Sequence, residues 1–326
     1  MQRRRFMQIT AATTLAALGA PSLFAQALPS GPIRLVVGFP PGGGADALAR
    51  IVAQKLTVLW NQQVIVDNRP GASSTLAAEY VARQPADGST LLLSTINSHA
   101  LAPAVQPKLR YHPERDFTHI VQLGMTPNLL ITNTTNPAKT VKDVVALCKA
   151  QPGKVSFGSA GPGTIQHFAI EKFKLLAKVD ALHVPYKGSG PLLTDLMGGQ
   201  IDFTFETMTA ATPHVKNGKV AVIAQTRTKR SKAYPQLPTM QEQGFEGFDT
   251  MNWYGISGPA KLPAALVKKI NQDVNTVLAN PEVEKQFETF GVEDGGGTPE
   301  QFSQFISAEI AKWAKVAKEA RVTMDG

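Results

Sequence analysis

Apolar residues recur along the chain in two rhythms. Short unbroken runs such as Ile33-Arg34-Leu35-Val36-Val37, Val64-Ile65-Val66 and Leu91-Leu92-Leu93 have strand length and end at glycine, proline or polar residues. Between them, spacings of three and four mark helices: Ala47, Leu48, Ile51, Val52 and Leu56 make one stripe, and Leu76 to Ala82 another. Phe117 to Thr132 holds two runs, Ile120-Val121 and Leu129-Leu130-Ile131, parted by Met125-Thr126-Pro127. That pattern predicts a strand passing from one lobe to another. Thr140 is placed to cap a helix through Leu147, which ends before Pro152-Gly153. The alternation continues with a strand at Val155-Ser156-Phe157, helices over Ile165 to Phe173 and Leu192 to Met197, and strands at Ile201 to Phe205 and Val220 to Ala224. Trp253 to Ser257 reads as a second crossover, and helices from Leu266, Pro281 and Pro299 close the chain. Strands alternating with helices predict an α/β fold with a mainly parallel sheet. Two crossovers predict two lobes, residues 28–125 plus 254–326 and residues 126–253.

Candidate chemistry sits at the strand ends. Phe39-Pro40-Pro41-Gly42-Gly43-Gly44-Ala45-Asp46 joins the first strand to the first helix. Three glycines let the backbone approach a ligand, and the helix that follows presents unpaired N–H groups and a positive dipole end. Asp46 is placed to act as its N-cap. A second strand–glycine loop–helix unit follows at Gly158-Ser159-Ala160-Gly161-Pro162-Gly163-Thr164, with Thr164 as the expected N-cap and His167 one turn in. Local capping alone would account for Ser159 and Thr164. Facing each other, the two loops could clamp two anionic ends of one small molecule. Asn97, Ser98 and His99 form a polar loop after the third strand, at the end where open α/β sheets bind ligands. Tyr186 offers a flat face with a hydroxyl, and Lys187 a cation. Glu206 follows an apolar strand and is expected to emerge into the same cleft.

Composition narrows the class. Arg3-Arg4-Arg5-Phe6 opens a basic, then weakly apolar segment ending at Ala25-Gln26-Ala27, the design of an export signal of twin-arginine or Sec type, cleaved near Ala27. Of the formal charge of +8, three units belong to the arginines of that leader, which leaves +5 spread along the chain rather than clustered as for nucleic acid. The single cysteine, Cys148, precludes an intrachain disulfide. There is no G-x-S-x-G elbow, no phosphate-binding lysine loop, no dinucleotide fingerprint and no paired-histidine metal motif. The sequence therefore predicts no enzyme, no cofactor and no metal. An exported hydrolase using His99 or His167 is the alternative from another class, and it lacks a nucleophile–base pattern.

These segments resemble, in order, the Bug-type extracytoplasmic solute receptors, the substrate-binding components of tripartite tricarboxylate transporters. The likeness runs from about Ile33 to the final helix and rests on Phe39-Pro40-Pro41-Gly42-Gly43-Gly44-x-Asp46, Asn68-Arg69-Pro70-Gly71-Ala72, Pro85-x-Asp87-Gly88, Gly158-Ser159-x-Gly161-x-Gly163-Thr164, Val184-Pro185-Tyr186-Lys187-Gly188, Gly198-Gly199-Gln200-Ile201-Asp202 and Trp253-Tyr254-Gly255. The resemblance implies a two-lobed periplasmic-binding-protein fold (type II) with two interlobe crossovers, working as a monomer. It implies a small carboxylate ligand held by Gly42, Gly43, Gly44 and Ala45 on one jaw and Ser159, Ala160, Gly163 and Thr164 on the other. It implies membrane permease subunits as partners, or a signalling partner if the receptor is sensory. Two departures stand out: Ala45 where a threonine is common, and Glu206-Thr207-Met208-Thr209 where an aspartate followed by Leu-Pro is usual.

Overall fold

The computed structural model describes residues 28–320 and Val322. The export signal expected over residues 1–27 lies outside the described residues. The first half of the chain contains β1 (Ile33–Val37), α1 (Gly44–Trp60), β2 (Val64–Asn68), α2 (Thr75–Ala82), β3 (Thr90–Thr95), α3 (Ala102–Val105) and the long β4 (Phe117–Asn133). Next come α4 (Val141–Ala150), β5 (Ser156–Ser159), α5 (Ile165–Ala177), β6 (Leu182–Pro185), α6 (Ser189–Met197), β7 (Phe203–Thr207), α7 (Met208–Lys216) and β8 (Val220–Gln225). The chain returns through β9 (Met251–Pro259) and finishes with α8 (Ala264–Leu278), α9 (Pro281–Thr289) and α10 (Pro299–Ala320).

The strands form one sheet in the order β2-β1-β3-β9-β4-β7-β5-β6, with β8 on the other side of β4. Strand β4 pairs antiparallel with β9 from Phe117 to Pro127. At Asn128 it changes partners and continues between β7 and β8. One seventeen-residue strand thus belongs to both halves of the sheet. The expected parallel pairs are β1–β2, β1–β3, β5–β6 and β5–β7. The pairs made by β4 and β9 are antiparallel, so the sheet is mixed.

Each half has its own core. In the first, Leu35, Leu91 and Ile256 of the sheet pack against Leu48 and Val52 of α1 and Ile270 and Val274 of α8. On its other side, Trp253 packs with Phe302 and Trp313 of α10. In the second, Phe157, Phe173, Phe203 and Phe205 share one aromatic cluster, with Cys148 buried among them as an apolar residue. Among the described residues no helix is long and apolar enough to cross a membrane.

One local expectation is corrected and one element is new. The polar stretch after β3 is not a loop: Asn97–Leu101 makes a wide helical turn, and Asn97, Ser98 and His99 are all buried. The turn is held from outside its own sequence by the Tyr111 hydroxyl, which donates to the Ser98 carbonyl at 2.5 Å. Thr207 also ends β7 by capping α7, accepting from the Ala210 N–H, and α7 itself was not anticipated. Its Pro213 sits past the first turn and argued locally against a helix.

Candidate functional site

The glycine loop after β1 is shaped by one carboxylate. Asp46 is not the N-cap of α1; that position is Gly43, in an extended conformation and without a side-chain cap. Asp46 lies in the first turn instead. It accepts from the Gly42 N–H at 3.0 Å, from Arg50 Nε at 2.9 Å and from Asn68 Nδ2 at 3.0 Å. Burial pushes the Asp46 carboxyl up, but the hydrogen bonds from Arg50, Gly42 and Asn68 outweigh it and hold the group below its ordinary value. Gly42 sits at φ +87°, which a side chain would strain. The loop is pinned from behind, and the opening turn of α1 keeps its N–H groups free of side-chain caps.

The second glycine loop is tied to its own surroundings. Thr164 is the N-cap of α5, as expected, accepting from the His167 N–H. Its hydroxyl donates to the Gly161 carbonyl at 2.7 Å. Gly163 N–H donates to His167 Nδ1 at 3.2 Å. The His167 ring stacks on His183 with centroids 4.1 Å apart and planes within 6°. His183 Nε2 meets Ser159 Oγ at 2.7 Å. Burial lowers both imidazoles to a pKa of about 4, so the stacked pair is neutral at pH 7. Even the first N–H of α5, that of Ile165, is taken: it donates at 3.0 Å to Asn97 Oδ1 from the other half of the sheet.

Between the halves lies a cavity of about 70 Å³, room for about five waters or one small organic molecule. Its walls are Phe39, Pro40, Pro41, Gly43, Gly44 and Ala45 before and within α1, and Thr95 and Asn97 after β3. Facing them are Ala160, Gln166 of α5, Ser189, Gly190 and Pro191 at the start of α6, and Thr207 at the end of β7. Asn252 and Tyr254, two apart on β9 and so on one face of it, complete the lining. Among the described residues, no aspartate, glutamate, lysine, arginine or histidine lines the cavity. What it offers an anion is the uncapped N-terminal turns of α1 and α6 together with hydroxyls and amides. The halves meet at its rim: a Cβ on Gly44 would lie 2.2 Å from Thr209 Oγ1, and one on Gly188 3.3 Å from the Pro40 ring.

The residues singled out from sequence divide accordingly. Phe39, Pro40, Gly43, Gly44, Ala45, Asn97 and Ala160 line the cavity. Gly42, which is exposed, and Asp46, which is buried, bond each other outside the lining, and Ser159, Gly163, Thr164 and His167 are used within the second loop. Ser98 and His99 bond each other at 2.9 Å, and His99 is enclosed by Phe117, His119 and Trp253. Burial pushes the His99 imidazole well below its ordinary pKa, with His119 adding to the effect. Tyr186 donates to Asp195 at 2.8 Å, and Lys187 is exposed. Gln166, Ser189, Thr207, Asn252 and Tyr254 were not anticipated. The signal for α6 was present in Gly188-Ser189-Gly190 ahead of an apolar helical stripe, the same design as the first loop.

Glu206 does not emerge into the cavity. It is fully buried one layer behind it. Its Oε1 accepts from Gln166 Nε2 at 3.1 Å, Ser189 Oγ at 3.0 Å, the Thr207 N–H at 2.7 Å and Thr207 Oγ1 at 3.1 Å. Its Oε2 has no protein partner. Burial raises the carboxyl pKa against the pull of those donors. Lys187 forms no ion pair with it.

Comparison with known proteins gives this arrangement a family. Residues 48–322 match the family described as "Tripartite tricarboxylate transporter family receptor". The protein BugT of Bordetella pertussis is 33% identical over 296 residues, covering 90% of this chain and 91% of BugT. Among solved structures, R. palustris Rpa4515 with adipate superposes with a TM-score of 0.88 at 34% identity, covering 90% of this chain and 99% of that one. MatC from Rhodopseudomonas palustris with bound malate gives 0.83 at 29% identity, covering 89% and 99%. The chain belongs to the tripartite tricarboxylate transporter receptor family, whose members are solute-binding proteins.

Proposed function

We propose that this chain is a periplasmic receptor that captures a small carboxylate between two lobes and delivers it to the membrane permease of a tripartite tricarboxylate transporter. The lobes in this reading are residues 28–125 plus 254–326 and residues 126–253, hinged where β4 and β9 cross. Residues 1–27 serve as the export signal and are removed. One observation carries the reading: a partly open cavity between the sheet halves, lined by uncharged residues, onto which two uncapped helix N-termini open. Relatives bound to adipate and malate make carboxylates the natural class. In this reading Gly43, Gly44 and Ala45 supply main-chain N–H groups from one lobe, and Ala160, Ser189 and Gly190 face them from the other. Closure around the solute creates the form that the permease recognises. Catalysis has no support in the cavity, which holds neither an imidazole nor a carboxylate to move a proton.

The test is a thermal-shift and calorimetric screen on purified protein freed of bound solute by unfolding and refolding. A carboxylate at a hundredfold excess over its Kd should add about 2.7 kcal/mol of stability. A screen of C3–C6 carboxylates, malate and adipate included, in which none binds would refute the reading. Cell fractionation with N-terminal sequencing tests export, with cleavage near Ala27 expected.

A further inference from the structure

The wall of the cavity opposite α1 has a fixed hydrogen-bond polarity, and Glu206 sets it. The Thr207 main-chain N–H can only donate, so Glu206 Oε1, which receives it, is an acceptor when the carboxyl is ionised or carries its proton on Oε2. In those forms any group that meets Oε1 presents a donor. Gln166 does so with Nε2, which turns its carbonyl Oε1 away from Glu206. Ser189 does so with its hydroxyl proton, which leaves only lone pairs for the cavity. On β9, Asn252 Nδ2 donates one hydrogen to the Tyr254 hydroxyl at 3.2 Å, which leaves the buried carbonyl Oδ1 and the second N–H over. Gln166 and Asn252 both line the cavity, are 3% and 4% exposed, and have side-chain oxygens with no protein partner. A buried acceptor without a donor is costly, and two of them in residues that line one cavity call for a ligand that supplies donors.

The charges around this wall agree. Elements packed on Glu206 contribute Gln166 from α5, Ser189 from α6, Leu129 from β4 and Tyr254 from β9, none of them cationic. No ion pair involving Glu206 forms among the described residues. A second carboxylate on the ligand would meet lone pairs backed by a buried carboxyl group. An amide, ammonium or hydroxyl group would meet acceptors.

We infer that Gln166, Asn252 and Ser189, oriented by Glu206, form a donor-reading subsite, so that the solute is a carboxylate whose far end carries an N–H or O–H donor rather than a second carboxylate. This rests on the carboxylate-receptor reading above and narrows it. Glu206 is a positioning residue here, since it touches the wall and not the solute.

The experiment compares matched ligands by calorimetry: the C4–C6 dicarboxylates succinate, glutarate and adipate, their monoamides, and the ω-amino acids of equal length. Wild-type protein should bind the best monoamide or amino acid at least about tenfold more tightly than the matching dicarboxylate, the worth of one or two buried hydrogen bonds. Glu206→Gln should shrink that ratio, chiefly by improving the dicarboxylate. Gln166→Leu, which removes a wall acceptor without touching Glu206, should shrink it by weakening the donor-bearing ligand, and serves if Glu206→Gln fails to fold. Dicarboxylates binding as tightly as their monoamides, or a ratio that neither variant moves, would overturn the inference and leave a carboxylate receptor standing. Failure of every ligand in all three series would overturn both.

Discussion

The two strand–glycine loop–helix units of this protein look alike in sequence and end in opposite states. Both follow a short buried strand, both carry glycines that adopt left-handed or close-packed backbone, and both open a helix. At α1 the loop is braced from behind by Asp46, and its helix N-terminus opens on the cavity without a cap. At α5 the N-terminus is consumed: Thr164, Asn97 and the His167 ring take the donors of the loop and the first turn. Ala160 of this loop and Gln166 of α5 still line the cavity, and Ser189 and Gly190 at the start of α6 join them opposite α1. A glycine loop before a helix therefore states what the backbone is able to bind. Which loop stays open depends on acceptors brought from elsewhere, one of them 68 positions away.

The sharpest way to break the comparison is at the open loop. Gly44→Val should weaken solute binding by about tenfold to a hundredfold, because a Cβ there runs into Thr209 and overpacking costs about 1–3 kcal/mol. Gly43→Ala should change affinity by about twofold at most. Gly43 has φ −86°, and the nearest atom to an added Cβ is the Pro40 carbonyl oxygen at 3.9 Å. Calorimetry with any carboxylate that binds the wild type separates the two. Equal losses would show that the backbone approach at 43, and not the contact at 44, is limiting.

At the closed loop, Asn97→Ala strips the Ile165 N–H of a buried acceptor and should cost about 1–3 kcal/mol in denaturant unfolding. Because that bond joins the two halves beside the cavity, affinity should fall with it. Thr164→Ala loses only a local cap, worth about 1 kcal/mol, and should leave affinity near wild type. If Thr164→Ala weakened binding as much as Asn97→Ala, the second loop would have to be counted as a jaw.

Much of this was legible in the chain. The strand and helix segments, the crossing strand at 117–132 and the cap at Thr164 follow from periodicity and turn residues, because those are local properties. The mixed sheet was not legible, since β9 starts 118 residues after β4 ends and nothing local fixes its direction. Asp46 was misplaced by three positions within a cap for a similar reason: Asn68 and Arg50, which draw it inward, come from a distant strand and the next helical turn. Glu206 was expected in the cleft from its place at a strand end. Alternation along β7 and the hydroxyls of Ser189 and Thr207 put it behind the wall instead. A residue's place along a strand is written in the sequence, but its partners across the cavity are set by tertiary contacts.

The smallest expected effect concerns acid. The closed loop depends on two neutral rings: His167 Nδ1 must accept from Gly163, and His183 must lie 4.1 Å from it without charge repulsion. Burial holds both pKa values near 4, against 6.5 for an unperturbed imidazole, with Lys174 opposing protonation of each ring and Glu171 favouring it at His183. The folded state therefore binds fewer protons than the unfolded chain. Its stability from these groups is fully present above pH 6.5 and is lost progressively as pH falls from 6.5 towards 4. The open loop contains no histidine, and its Asp46 stays ionised through that window. Acid should thus loosen the second loop before the first. NMR titration should place both imidazoles near 4, and hydrogen exchange, referred to the intrinsic rate at each pH, should show protection falling between pH 7 and 5 at Gly163 while the amides of β1 keep theirs. His183→Gln, which removes one ring of the stack, should flatten the fall in melting temperature over the same range. An imidazole at either position titrating near 6.5, or parallel loss of protection at both loops, would mean that stacking and burial are not what keeps the second loop shut.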